Sequence, residues 1–202
     1  VDDYKEVCMG LDPNNPDTDG DRVSDGNELL YELNALEPDG DRIITLQREA
    51  EIGTDLKLKI DMEAAAANAE SFSLYTIPSA GIISSERIQG MIGNGISFTM
   101  DGTFQSVSVE LVISENKIDS ALSYGLYYVN TEKLRFERVS KQKIYGNHIY
   151  ADLEHFSDYV ILTDELIADA TKSLRDIFRT VGNTVDELTA ERTDTDRDGI
   201  PD

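Results

Sequence analysis

The stretch "SVSVELVIS", residues 106–114, alternates apolar and polar side chains, and its reading decides the fold. A repeat of two puts Val107, Val109, Leu111 and Ile113 on one side, the mark of a strand with a single buried face. The pattern begins at "LKLKID" (56–61), where Leu56, Leu58 and Ile60 alternate with polar residues. It returns in "SFSLYTI" (71–77), "GISFTM" (95–100), "YGLYYVN" (124–130), "KLRFERV" (133–139), "NHIYADL" (147–153) and "SDYVIL" (157–162). Clusters of Gly, Asn, Asp or Ser separate these runs, and many short strands with turns between them predict a β-sandwich over 56–163. "GLYYVNTEKLRFERV" (125–139) reads as a hairpin turning at "NTEK", with Tyr127, Tyr128 and Phe136 as core and cross-strand contacts. "EAAAANAE" (63–70) is too short and too weakly patterned to assign.

The flanks differ from this centre in charge. The 202 residues carry a formal charge of −22. Residues 1–55 hold 16 acids and 4 bases, residues 56–163 hold 13 and 9, and residues 164–202 hold 11 and 5. Such a balance excludes nucleic acid as a partner, because phosphate binding needs a Lys/Arg surface. It favours cations. No run approaches the ~20 apolar residues of a membrane span. The one cysteine, Cys8, rules out an internal disulfide framework and reads as a small buried hydrophobe.

In the first flank, "DTDGDRVSDGNE" (17–28) places five carboxylates within one short loop. A calcium loop of the EF-hand type needs oxygens at positions 1, 3, 5, 7, 9 and 12, the seventh from a backbone carbonyl. Asp17, Asp19, Asp21, the Val23 carbonyl, Asp25 and Glu28 fill all six. Carboxylates without His or Cys suit Ca²⁺ rather than zinc. Position 6, normally Gly for a sharp turn, is Arg22, so either the residue is strained or the turn bends elsewhere, at Gly20.

The pattern recurs: "DGDRV" (19–23) matches "DGDRI" (39–43). In that register Glu37, Asp39 and Asp41 take positions 1, 3 and 5 of a second loop, which lacks a closing Glu because Arg48 falls at position 12. Asp12 could complete it. "DYKEVCMG" (3–10), "ELLYELN" (28–34) and "TLQREAEIG" (45–53) read as short helices beside the loops, with Gly10 and Gly53 as C-terminal stops.

"GLDPNNPDTDGDRVSDGNE" (10–28) resembles the bacterial thrombospondin type 3 repeat. The match is good over 10–28, partial over 34–55, and good but incomplete over "DTDRDGIPD" (194–202). The resemblance implies calcium ligands at Asp194, Asp196, Asp198 and Asp202 in the last repeat. It also implies a secreted or cell-surface setting. A duplicated dockerin is the nearest rival, but the Pro-rich lead-in fits the thrombospondin-type repeat better.

A second motif, His155-Phe156-Ser157, closes the central region in "LEHFSDYVIL" (153–162). It resembles the cleavage site of self-cleaving domains, among them the nuclear-pore and GAIN-like domains, and the end of bacterial surface modules finishing in HFS-x-Y. The resemblance implies that the Ser157 hydroxyl attacks the Phe156 carbonyl, that His155 takes the proton, and that water hydrolyses the ester after an N-to-O acyl shift. The structural reading makes Phe156 a core residue, with His155 and Ser157 hydrogen-bonding nearby. A trans-acting serine hydrolase lacks its G-x-S-x-G elbow here.

"TDELIADATKSLRDIFRTVG" (163–182) carries Ile167, Ala170, Leu174, Ile177, Phe178 and Val181 at helical spacing, and Thr163 can cap it. The expectation is therefore a mostly β protein with some α. Calcium repeats occupy 1–55, the sandwich 56–163, a helical linker 164–193, and the start of a further repeat 194–202. We read it as a segment of a longer secreted or surface-anchored bacterial protein with an adhesion-type architectural role. Its partners would be calcium, neighbouring domains of the chain and a cell-surface protein.

Overall fold

A computed structural model describes residues 2–78, 90–119, 121–130, 133 and 135–170. The acidic repeat at 194–202 and the tail helix beyond 170 lie outside them. Among the described residues, ten strands form two antiparallel five-stranded sheets. The first sheet contains β1 (Ile43–Ile52), β2 (Leu56–Ala65), β5 (Phe104–Ile113), β9 (His148–Asp152) and β8 (Gln142–Tyr145), in the order β1-β2-β5-β9-β8. The second contains β3 (Ser73–Ile77), β4 (Met91–Thr99), β10 (Asp158–Thr163), β6 (Tyr124–Asn130) and β7 (Arg135–Arg138), in the order β3-β4-β10-β6-β7.

The sheets bury their apolar faces in a common core. Leu58, Ile60, Leu111, Ile113 and Ile149 of the first sheet join Ile96, Phe98, Leu126, Tyr159 and Ile161 of the second. Val107, Val109, Leu111 and Ile113 are all buried, so the alternation of β5 is realised. The expected hairpin is present too, with Tyr128 opposite Glu137 across β6 and β7. A second cluster on the outer face of the second sheet joins Met91, Tyr127, Val160 and Leu162 to Leu166 and Ile167 of helix α4 (Asp164–Ala170).

Two readings are corrected. "TLQREAEIG", expected as a helix, belongs to β1, whose ten residues pair antiparallel with β2 from Ile43↔Ala65 to Ile52↔Leu56. Ile44, Leu46 and Ile52 point inward at a repeat of two. Gly53 (φ 64°) makes the hairpin turn instead of stopping a helix. The sandwich therefore begins at Ile43. Cys8, expected to be buried, is exposed.

The acidic segment folds ahead of β1 as two seven-residue helices, α1 (Asp3–Met9) and α2 (Asp25–Tyr31), with the loop between them. Asp2 caps α1 by accepting from the Lys5 N–H, and Gly10 ends it at φ 83°. This segment has no separate core: Val23 and Leu33 pack into the core of the sandwich. The contact runs through a short helix, α3 (Ala66–Glu70), that follows β2. The Ala67 N–H donates to Gly40 O at 2.9 Å and the Ala66 N–H to Arg42 O at 2.9 Å. The two Glu70 oxygens accept from the Ser24 hydroxyl at 2.9 Å and the Asn27 amide at 2.7 Å.

Candidate metal centre

The loop from Asp17 to Glu28 is held in its curl by its own carboxylates. Asp17 accepts from the Gly20 N–H at 2.8 Å and the Arg22 N–H at 3.0 Å. Asp19 accepts from the Asp21 N–H at 3.1 Å, and Asp21 from the Val23 N–H at 2.9 Å. The turn takes both routes open to it, since Gly20 (φ 83°) and Arg22 (φ 75°) are both left-handed. A long side chain at that φ is strained by about 1–2 kcal/mol.

Two groups of carboxylate oxygens converge. One oxygen each from Asp17, Asp19 and Asp21 lie within 4.8 Å of one another, and so do oxygens of Asp21, Glu28 and Asp39. Asp21 belongs to both. Asp39 reaches the loop because its N–H donates to Asp21 Oδ2 at 2.8 Å. Gly40 allows this approach: a Cβ there would lie 2.8 Å from the Asp21 carbonyl oxygen.

Among the described residues, the remaining expected side-chain ligands enter neither group. Asp25 is buried, but its two oxygens accept from the Thr18 N–H and hydroxyl, both at 2.8 Å. Val23 is fully buried and anchors the loop to the core. Glu37 and Asp41 are exposed and enter neither group. The "DGD" repeat thus contributes Asp39 to the first loop, a link that spacing within either repeat does not reveal. Asp194, Asp196, Asp198 and Asp202 lie outside the described residues.

The electrostatics of this cluster are unfavourable for protein atoms alone. Glu28 is 0% exposed, yet neither of its oxygens has a hydrogen-bond partner; nor do the buried Asp19 Oδ2 and Asp39 Oδ1. Burial, then the charges of Asp19, Asp21, Asp25 and Asp39, push the Glu28 carboxyl up to about 7. Asp19 is raised as well, chiefly by burial. Buried carboxylates are normally paired or bound to metal. The donor set is all hard oxygen, and every residue with an orphaned oxygen belongs to one of the two converging groups, so these residues fit a divalent cation.

The His155-Phe156-Ser157 segment lies just before β10. Phe156 fills the end of the core against Phe72, Phe98 and Phe104, with ring centroids 5.4, 5.8 and 4.8 Å away. His155 packs edge-on to Tyr128 and over Tyr159, with Nδ1 3.4 Å from the Phe156 carbonyl oxygen. The Phe98 N–H donates to Ser157 O at 3.2 Å, and the buried Tyr159 hydroxyl donates to His155 O at 2.5 Å. Comparison with known families, curated proteins and solved structures finds no match to this chain. No helix among the described residues is long and apolar enough to cross a membrane.

Proposed function

We propose that this chain is a calcium-stabilised architectural segment of a secreted or cell-surface protein, with an adhesion-type role. The observation that carries the reading is the fully buried Glu28 carboxylate, unpartnered beside Asp21 and Asp39. A cation among Asp21, Glu28 and Asp39 would neutralise it, and a second among Asp17, Asp19 and Asp21 would engage the free Asp19 oxygen. Calcium would then supply part of the folding free energy of a segment with few apolar residues. Extracellular calcium modules work at about 10⁻⁴–10⁻³ M, which fits a site outside the cell. Neighbouring domains of the same chain and a cell-surface protein are the partners this role implies.

The test is calcium titration by calorimetry, with melting followed by circular dichroism. Wild type should bind calcium and melt at higher temperature with it. Glu28→Gln should lose most of both effects. Wild type without calcium heat or a thermal shift would overturn the proposal.

A second reading rests on the His155 imidazole lying beside the Phe156 carbonyl. On that reading Ser157 Oγ attacks this carbonyl, the proton passes through His155 to the departing amide nitrogen, and water opens the ester. A denaturing gel decides it. Fragments of 156 and 46 residues should appear in wild type and vanish in Ser157→Ala, whereas one intact band rejects cleavage.

A further inference from the structure

The outer face of the first sheet carries a groove that no part of the calcium reading uses. Register aligns Glu49, Lys59, Glu110, Tyr150 and Lys143 in one row across all five strands. Two adjoining clefts, of about 700 and 360 Å³, lie along this row and share Lys59 and Glu110. With strands about 4.8 Å apart, the row is on the order of 19 Å long.

Alternating charge explains part of the row, since Glu49–Lys59–Glu110 are favourable cross-strand neighbours. It does not explain the aromatic rings at the other end. Tyr145 is 65% exposed and Tyr150 41% exposed, with ring centroids 6.3 Å apart. His148 stacks on Tyr150 at 6.0 Å with the planes 11° apart. Glu110 holds the His148 ring through Nδ1 at 2.8 Å, and the Tyr150 hydroxyl lies 3.5 Å from that same nitrogen. Rings held in place before binding lose little entropy on contact.

The lining also limits the ligand. Lys59, Lys141 and Lys143 balance Asp61, Glu110 and Asp152, so the larger cleft is locally neutral in a strongly acidic chain. A polyanion would need an excess of cations. An apolar ligand would strand these charges without water. A peptide strand gains most by pairing along a sheet edge, and this groove crosses a sheet face. What remains is an uncharged ligand with many hydroxyls, which donate to carboxylates and accept from ammoniums, and with C–H faces for Tyr.

We propose that this groove binds a linear, uncharged oligosaccharide lying across the strands, with one sugar face on Tyr150 in the groove and the next on Tyr145 beside it, and its hydroxyls on Lys59, Glu110 and Lys143. The test is an array of charged and uncharged linear glycans, probed with the whole chain in millimolar calcium, followed by calorimetry with the uncharged glycans that score. Uncharged glycans should score. Tyr150→Ala and Tyr145→Ala should each weaken binding about tenfold or more while leaving the melting temperature close to wild type. Binding to no glycan, binding to charged glycans alone, or affinity unchanged in both variants overturns the proposal. Calcium titration of the same variants should match wild type, so failure here stays separate from failure of the calcium reading.

Discussion

At the scale of single residues, Glu28 carries the sharpest prediction. Its folded carboxyl titrates near 7 against an ordinary value of 4.5. Between those values the metal-free folded chain holds a proton that the unfolded chain has lost, so its stability falls as pH rises through this window. The shift corresponds to roughly 3 kcal/mol. In chelator, the denaturant midpoint should therefore drop from about pH 4.5 to pH 7. The drop should be smaller with saturating calcium, which favours the ionised form, and smaller in Glu28→Gln. A calcium-free profile that is flat, or equally steep in Glu28→Gln, counts against this role for Glu28. Arg22 is the complementary case. It donates its N–H to Asp17 from a left-handed backbone, a conformation that favours glycine. Arg22→Gly should raise stability by up to about 1 kcal/mol in urea unfolding, the relief of strain less the added freedom of the unfolded chain.

At the scale of elements, the HFS-x-Y segment acts as a fastener. Phe156 plugs the core, and Tyr159, three residues on, returns its hydroxyl to the His155 carbonyl in the manner of a tyrosine corner. Tyr159→Phe should cost roughly 0.5–1.5 kcal/mol in urea unfolding, because the hydrogen bond to the His155 carbonyl is lost. Elements like these were legible in sequence to the extent that one side chain in two is buried. β2 and β5 are legible for that reason, whereas β10 is buried on both faces. β1 was obscured because Arg48 takes an inward register position yet stays exposed, reaching toward the Tyr31 hydroxyl. The adjoining acidic repeat then suggested a helix. β8 is four residues long, with a pattern too brief to separate from a loop. In the acidic site, Asp17, Asp19, Asp21 and Glu28 were legible from spacing. Asp39 was legible as a ligand of a second loop, but not its place beside the first, which depends on how Gly40 packs against Asp21.

At the scale of the molecule, the acidic segment and the sandwich share one core. Val23 and Leu33 bury themselves among sheet residues, and Glu70 grips Ser24 and Asn27. Calcium should therefore act on the whole assembly. Differential scanning calorimetry should show one transition spanning both parts, moving to lower temperature on chelation. A separate low-temperature peak for residues 1–42 would mean that the shared core does not couple them.

The ten-residue pairing of β1 with β2 also determines how this chain can be shortened. A cut at Leu56, where the strand pattern first becomes obvious, removes β1 and leaves the full length of β2 as a bare sheet margin. Its freed amides and carbonyls would offer a template for other copies, so such a truncation invites self-association. A cut just before Ile43 keeps that margin covered.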